Sequence, residues 1–134
     1  MKVVYDTCLY IDFLRNRKNE GFFLDRNQIR FLSPVVMMEL LAGSKTNKEK
    51  NGLKHLFKPY IKSDRIIQLG LKEYFQAGEI LSKIRKKEGA VKPGFSHDVL
   101  IALSASSLGA TLLTANKKDF ERIKKVHPYK LEIA

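Results

Sequence analysis

The sequence predicts an α/β fold in which helices cover both faces of a mostly parallel sheet. Short apolar runs rich in β-branched residues alternate along the chain with longer segments whose apolar residues recur at helical spacing. Such alternation is typical of a parallel sheet with right-handed crossovers, whose ligand sites lie beyond the carboxyl ends of the strands. The chain has 134 residues, 44% of them hydrophobic, and is long enough to bury a core without staples. We therefore expect one domain over residues 1–134.

The strands are predicted at short apolar runs. Met1 to Tyr5 is the first, and the turn that follows leads into a helix for which Thr7 is a suitable N-cap. Ile66 to Leu69 is short and leaves the choice between strand and loop open. The other strands are expected at Gln28 to Leu32, Thr111 to Leu113 and Tyr129 to Ile133.

The helices are predicted where apolar residues recur on one face. Ser33 and Pro34 mark one start clearly, because serine caps helices and proline is tolerated at the first helical position. Ser96 is expected to cap a later helix that is rich in alanine, leucine and serine. The predicted helices cover Cys8 to Arg15, Val35 to Leu41, Lys45 to Lys62, Leu71 to Glu88, Asp98 to Leu108 and Asn116 to Lys125, with a short helical turn at Phe22 to Leu24.

The charge balance favours a polyanionic partner. Lysine and arginine together number 25 against 14 acidic residues, which gives a formal net charge of +11. The long-range field alone does not separate RNA, DNA, an anionic membrane or an acidic protein.

The single cysteine, Cys8, excludes an intrachain disulfide. Because no export signal or apolar run of membrane-spanning length is present, we expect a cytoplasmic protein.

Four acidic residues in separate stretches each follow an apolar run: Asp6, Glu39, Asp98 and Asp119. The predicted strand order brings these positions toward one edge of the sheet. Carboxylates that converge repel one another, so they stay ionised together only beside a cation, and their hard oxygen ligands favour Mg²⁺ or Mn²⁺. One or two such ions would hold a phosphodiester and lower the pKa of an attacking water. The quartet therefore indicates catalytic and metal-binding residues.

Each acid also has a structural interpretation when it is taken alone. Asp6 is suited to a turn, Asp98 to a helix N-terminus, and Asp119 to a capping interaction with Asn116. Glu39 is the only charge in an apolar helix, and a lysine partner or a solvated edge would explain it. Four independent structural roles at one edge are less probable than one shared site.

Polar neighbours of the quartet are candidates for substrate binding. Thr7, Thr114 and Asn116 lie at strand ends, and the last two are suited to contact a phosphate, to orient Asp119 or to cap a helix. His97 precedes Asp98 and is a further candidate contact for a substrate phosphate.

Four segments together resemble the PIN-domain ribonucleases, in particular the VapC-type toxins of toxin–antitoxin pairs. They are YDTCLYIDFLR, SPVVMMELLAGS, SHDVLIALSASSLGATLLT and TANKKDF, and they occur in the family's order over nearly the whole chain. The resemblance implies that Asp6, Glu39, Asp98 and Asp119 form the acidic quartet, with Thr114 and Asn116 in support. It also implies a three-layer α/β/α sandwich with about five strands, homodimers, Mg²⁺ or Mn²⁺, RNA as substrate and a cognate antitoxin. His97 stands where relatives often carry a smaller residue such as asparagine.

The resulting prediction is a metal-dependent endoribonuclease, a hydrolase of RNA phosphodiesters, acting as a toxin. Two alternatives remain open at this point: a housekeeping PIN nuclease in RNA maturation or decay, and a non-catalytic basic domain that binds nucleic acid. A nucleotide-binding enzyme is less favoured, because neither a Gly-x-Gly-x-x-Gly turn nor a Gly-Lys-Ser/Thr loop occurs.

Overall fold

The computed structural model describes residues 1–134 and contains a four-stranded sheet flanked by seven helices. The strands are β1 (Lys2–Tyr5), β2 (Ile29–Phe31), β3 (Thr111–Thr114) and β4 (Lys130–Ile133). The helices are α1 (Thr7–Asn16), α2 (Glu20–Leu24), α3 (Pro34–Ala42), α4 (Asn47–Lys62), α5 (Leu71–Glu88), α6 (Phe95–Ser107) and α7 (Lys117–Val126).

The sheet has the order β2-β1-β3-β4, and every pairing in it is parallel. The two central strands are the most buried, since Val3 to Tyr5 in β1 and Leu112 to Thr114 in β3 are all inaccessible to solvent or nearly so. Continuous burial is the property of strands covered on both faces. The predicted α/β fold with helices on both faces of a parallel sheet is thereby confirmed.

The sheet has one strand fewer than the five expected. Ile66 forms only an isolated parallel bridge with Leu32, supported by bonds from Leu32 N to Arg65 O and from Ile67 N to Leu32 O. The chain turns into α5 at Leu71 and leaves no length for a ladder.

Two helix caps differ from the prediction, whereas the others agree. Asp6 caps α1 in place of Thr7, because its carboxylate accepts a hydrogen bond from the backbone N–H of Thr7. Gly94, with a φ of +85°, precedes α6, so this helix begins before the expected Ser96 and includes Asp98 in its first turn. The predicted bounds of α5 are those observed, and Ser33 caps α3 as expected.

A single cluster of 28 buried hydrophobic residues forms the core. Helix α6 is its most buried helix, with seven buried residues along its length. Burial on most sides, as predicted, fixes the direction in which the first turn of α6 presents its polar side chains. None of the helices combines the length and the apolar character that crossing a membrane requires.

Candidate active site

The four predicted acids come from four different elements. Asp6 directly follows β1, Glu39 lies on α3, and Asp98 and Asp119 lie in the first turns of α6 and α7. The carboxyl ends of β1 and β3 are adjacent, since the backbone N–H of Asp6 donates to the carbonyl of Leu113 at 3.0 Å. This is the sheet edge at which a parallel α/β fold places ligands.

Asp6 is a buried carboxylate held by several donors. Thr114 donates its hydroxyl to Oδ2 at 2.7 Å, the Cys8 thiol lies 3.5 Å from the same oxygen, and the Thr7 N–H donates to Oδ1 at 2.8 Å. Burial raises the pKa of Asp6 more strongly than these hydrogen bonds lower it. Thr114 is completely buried, and its hydroxyl also accepts from the backbone N–H of Asn116 at 3.0 Å, so it holds Asp6 and the turn before α7.

Each carboxylate oxygen of Glu39 has a hydrogen-bonding partner. The Thr7 hydroxyl donates to Oε1 at 2.6 Å, and His97 Nδ1 lies 3.3 Å from Oε2. The Glu39 side chain is 29% exposed and the His97 side chain 39% exposed. Thr7 and His97 therefore position an acid, and the outer side of His97 remains accessible.

Asp98 shows how closely the acids approach one another. Burial raises its pKa to about 7, and the negative charges of Asp6, Asp119 and Glu39 add to this shift while Lys92 opposes it. Burial likewise raises the pKa of Tyr129, again with contributions from Asp6 and Asp98. The four carboxylates thus share one electrostatic field, in which a bound cation would lower the pKa of Asp98.

Asp119 differs from the other acids because it already has cationic partners. Lys92 forms an ion pair with its Oδ2, Arg122 Nη1 lies 3.4 Å from its Oδ1, and Asn116 donates its amide to Oδ2 at 3.0 Å. Burial alone raises the pKa of Asp119, and the bonds from Lys92 and Asn116 more than offset this, so the pKa is lowered. Asn116 also caps α7 by accepting from the backbone N–H of Asp119.

The donor set fits a hard divalent cation that keeps part of its water shell. No three histidine, cysteine or acidic side chains are arranged to hold one ion between them. Mg²⁺ is commonly held by one or two carboxylates, with waters completing its coordination, and so does not need a closed protein cage. The four carboxylates, which repel one another but do not form a closed cage, match this mode of binding.

Sequence reasoning did not identify Lys92 or Arg122 as parts of this cluster. The spacing of Asp119 and Arg122, three residues apart on one helix, is a readable signal for an ion pair. Lys92 lies in an irregular loop, and no local pattern reveals that its side chain reaches α7.

A hollow of about 350 Å³ lies beside the acidic cluster, between α1, α3 and α4. Its lining includes Glu39 together with four apolar side chains, Ile11, Leu14, Leu40 and Leu53. The site therefore borders a partly apolar surface on the side of Glu39.

The sequence profile of the family described as "PIN domain" matches residues 3–126. The chain belongs to the PIN domain family, which is the class that its parallel sheet and its acidic edge define.

Within this family, the chain is similar to several proteins named VapC. Ribonuclease VapC1 of Rickettsia felis is 33% identical over 126 residues, which span 92% of this chain and 91% of the relative. Ribonuclease VapC of Rickettsia bellii is 29% identical over the same shares of the two chains. The solved structure of VapBC2 from Rickettsia felis, bound to a DNA fragment from their promoter, has a TM-score of 0.74 and 26% identity and covers 100% of this chain and 99% of that chain. The predicted family is thereby confirmed.

Proposed function

We propose that the chain is a divalent-metal-dependent endoribonuclease and the toxin of a VapBC-type toxin–antitoxin pair. The observation that carries the chemistry is the environment of Asp98, whose carboxyl feels the negative charges of Asp6, Glu39 and Asp119. The relatives named ribonuclease VapC support the choice of RNA as the substrate.

Asp6 and Asp98 are our first choice as direct ligands of the ion, with Glu39 and Asp119 bound directly or through water. A bound Mg²⁺ or Mn²⁺ would stabilise the charge on the scissile phosphate and lower the pKa of the attacking water. Thr114 holds the carboxylate of Asp6 in place, and Asn116 performs the same task for Asp119.

Glu39 is partly exposed and can meet substrate or solvent. Thr7 and His97 fix its two oxygens, and its side chain retains partial exposure. The imidazole ring of His97 lies against Glu39 at the surface, where it is available to contact a phosphate of the RNA.

Exposed lysines are suited to contact the RNA backbone and supply much of the net charge of +11. Those nearest in sequence to the acidic cluster lie on α7, at Lys117, Lys118, Lys124 and Lys125, and a second group lies on or before α4, at Lys45, Lys48, Lys50, Lys54 and Lys58. We also propose that the substrate is cytoplasmic RNA and that the chain assembles as a homodimer.

The hollow beside Glu39, whose lining combines four apolar side chains with Arg15 and Glu49, supports the proposal that an antitoxin blocks the site. An antitoxin segment with apolar side chains would bury Leu14, which is 47% exposed, and would end next to the acids. The related VapBC2 structure supports a partner of this kind.

The decisive experiment is sequencing of RNA ends after a short pulse of expression. The wild-type chain should generate new ends at defined positions, and Asp98→Asn should generate none. Asp64→Asn is the matched control, because Asp64 is an exposed acid beside Leu108, away from the sheet edge that carries the site, and its positive φ of 53° suits asparagine.

A purified preparation should cut RNA only with Mg²⁺ or Mn²⁺, and EDTA should stop it. Cleavage that survives EDTA contradicts the metal requirement. RNA binding without any cleavage would instead favour a non-catalytic basic domain. Cleavage without an effect on growth or translation, and without a small binding partner, would favour a housekeeping nuclease.

A further inference from the structure

Lys92 is a loop side chain from outside the predicted site that reaches into the acidic cluster. Its ammonium pairs with Oδ2 of Asp119, although the Lys92 side chain is 55% exposed and that of Asp119 only 6%. The pKa of Lys92 is raised, chiefly by its hydrogen bond to Asp119, and the charge of Asp98 contributes to the shift. The lysine therefore pairs with one proposed metal ligand, Asp119, and its charge acts on a second, Asp98.

The two cations on Asp119 are held very differently. Arg122 is fixed on its other side by Glu88, at 2.9 Å and 2.5 Å, and its guanidinium lies 4.8 Å from the ring centre of Phe95. Lys92 forms no ion pair other than the one with Asp119 and lies in the exposed loop between α5 and α6. Arg122 is thus a fixed part of the structure, whereas Lys92 is free to leave.

We propose that Lys92 is an internal counter-ion that competes with the divalent cation for Asp119, and so sets the metal affinity of the site. This inference rests on the proposed function. Oδ2 of Asp119 already accepts from Asn116, so the ammonium takes the remaining position on this oxygen at which an ion could bind. An ammonium and a divalent ion on one carboxylate also repel each other.

The exchange has consequences for both states of the site. Without the ion, Lys92 neutralises one carboxylate of a mutually repelling set. When the ion binds, the Lys92 ammonium leaves Asp119 but stays beside the cluster, because Lys92 lies in the adjoining loop. There it can contact a phosphate of the incoming RNA. An exposed ion pair has modest strength, so its removal should tighten metal binding roughly five-fold.

Calorimetric titration of the purified protein with Mn²⁺ tests this inference. Lys92→Met should bind Mn²⁺ roughly five-fold more tightly than the wild type. Lys87→Met is the matched control, because Lys87 is an exposed lysine at the end of α5 that forms no ion pair, and its loss changes the net charge equally. Its Mn²⁺ affinity should stay within about two-fold of the wild type.

A second comparison separates competition at Asp119 from a general effect of charge. In an Asp119→Asn background, Lys92→Met should no longer change the affinity for Mn²⁺. Equal affinity of Lys92→Met and the wild type, or an equal gain in both backgrounds, overturns the inference while leaving the nuclease proposal intact. Absence of Mn²⁺ binding by the wild type overturns the proposed metal site and this inference with it.

Discussion

Asp98 and Asp119 belong to one acidic cluster, yet their pKa values move in opposite directions. Burial and three neighbouring carboxylates raise the pKa of Asp98 to about 7. Asp119 is also buried, but its bonds from Lys92 and Asn116 and the nearby charge of Arg122 reverse the shift. Cationic side chains therefore compensate the negative charge at Asp119, whereas the negative charge around Asp98 is compensated much less.

This imbalance predicts an unusual pH dependence for the metal-free protein. The pKa of Asp98 is higher in the folded state than in the unfolded state, so its contribution to stability is present at low pH and is lost as the pH rises through about 7. The free energy of unfolding in EDTA should therefore fall between about pH 4 and pH 7.5, by at most roughly 4 kcal/mol. Denaturant titrations across this range provide the measurement.

Asp98→Asn is the control for that pH series, because asparagine preserves the shape and cannot ionise. Its unfolding free energy should be flatter over the same range. Asp119, with its lowered pKa, contributes in the opposite sense, since its stabilisation is present above its unfolded pKa and is lost only as the pH falls below about 4. Identical slopes for the wild type and Asp98→Asn would contradict the assignment.

The hydroxyl of Thr114 is predicted to be important because it donates to Asp6 and also accepts from the backbone N–H of Asn116. Thr114→Val keeps the shape but removes the 2.7 Å bond to Asp6 and the 3.0 Å bond from the Asn116 N–H. It leaves a buried carboxylate oxygen with one donor fewer and should cost roughly 1–3 kcal/mol. Thr114→Ser retains the hydroxyl and should keep more of the Mn²⁺ affinity than the valine variant. Equal affinity in the two variants would show that the bond does not matter for the site.

At the scale of elements, local sequence signals succeeded where a cap or an apolar face is strong. Ser33 followed by Pro34 identified the start of α3, and the apolar spacing of α5 identified both of its ends. The start of α6 was predicted too late, because Gly94 replaces a side-chain cap with a left-handed backbone, and backbone angles cannot be read from a glycine alone.

Helix α7 links stability to the site through its cap, Asn116. Asn116→Ala removes both the cap and the amide donor to Asp119, and should lower the free energy of unfolding by about 1 kcal/mol. Asn116→Ser restores a capping oxygen but not the amide, so it should recover stability without recovering cleavage of RNA. Thermal melts and RNA cleavage assays measure the two effects. Parallel recovery of both would mean that Asn116 acts only on the helix.

At the scale of the whole molecule, the sequence predicts an acidic edge but only one of the contacts that hold its acids, that of Asn116 with Asp119. The order of strands and helices is enough to bring Asp6, Glu39, Asp98 and Asp119 to one edge. The contacts of Lys92 with α7, of Thr7 with Glu39 and of Thr114 with Asp6 join residues far apart in the chain. Such contacts depend on side-chain directions that are fixed only when the helices pack.

The proposed homodimer has a candidate surface on α5. Leu71, Tyr74 and Phe75 share one face of the helix and are 88%, 57% and 69% exposed. Phe75→Lys should weaken self-association at least about ten-fold, because a charge would be buried in an apolar contact. Light scattering at several protein concentrations measures this. Leu24→Lys, at another exposed apolar position, is the control, and an unchanged mass for both variants would rule out this face.

Every member of the acidic quartet belongs to a different element, and β1 alone joins β2 to β3 at the centre of the sheet. Parallel pairings of this kind link distant parts of the chain, so no isolated fragment can reproduce them. Opening of the sheet would disperse the ligands in one cooperative step. Cellular proteases that capture the opened chain would thus end the proposed ribonuclease activity at the first unfolding event, long before the polypeptide is digested.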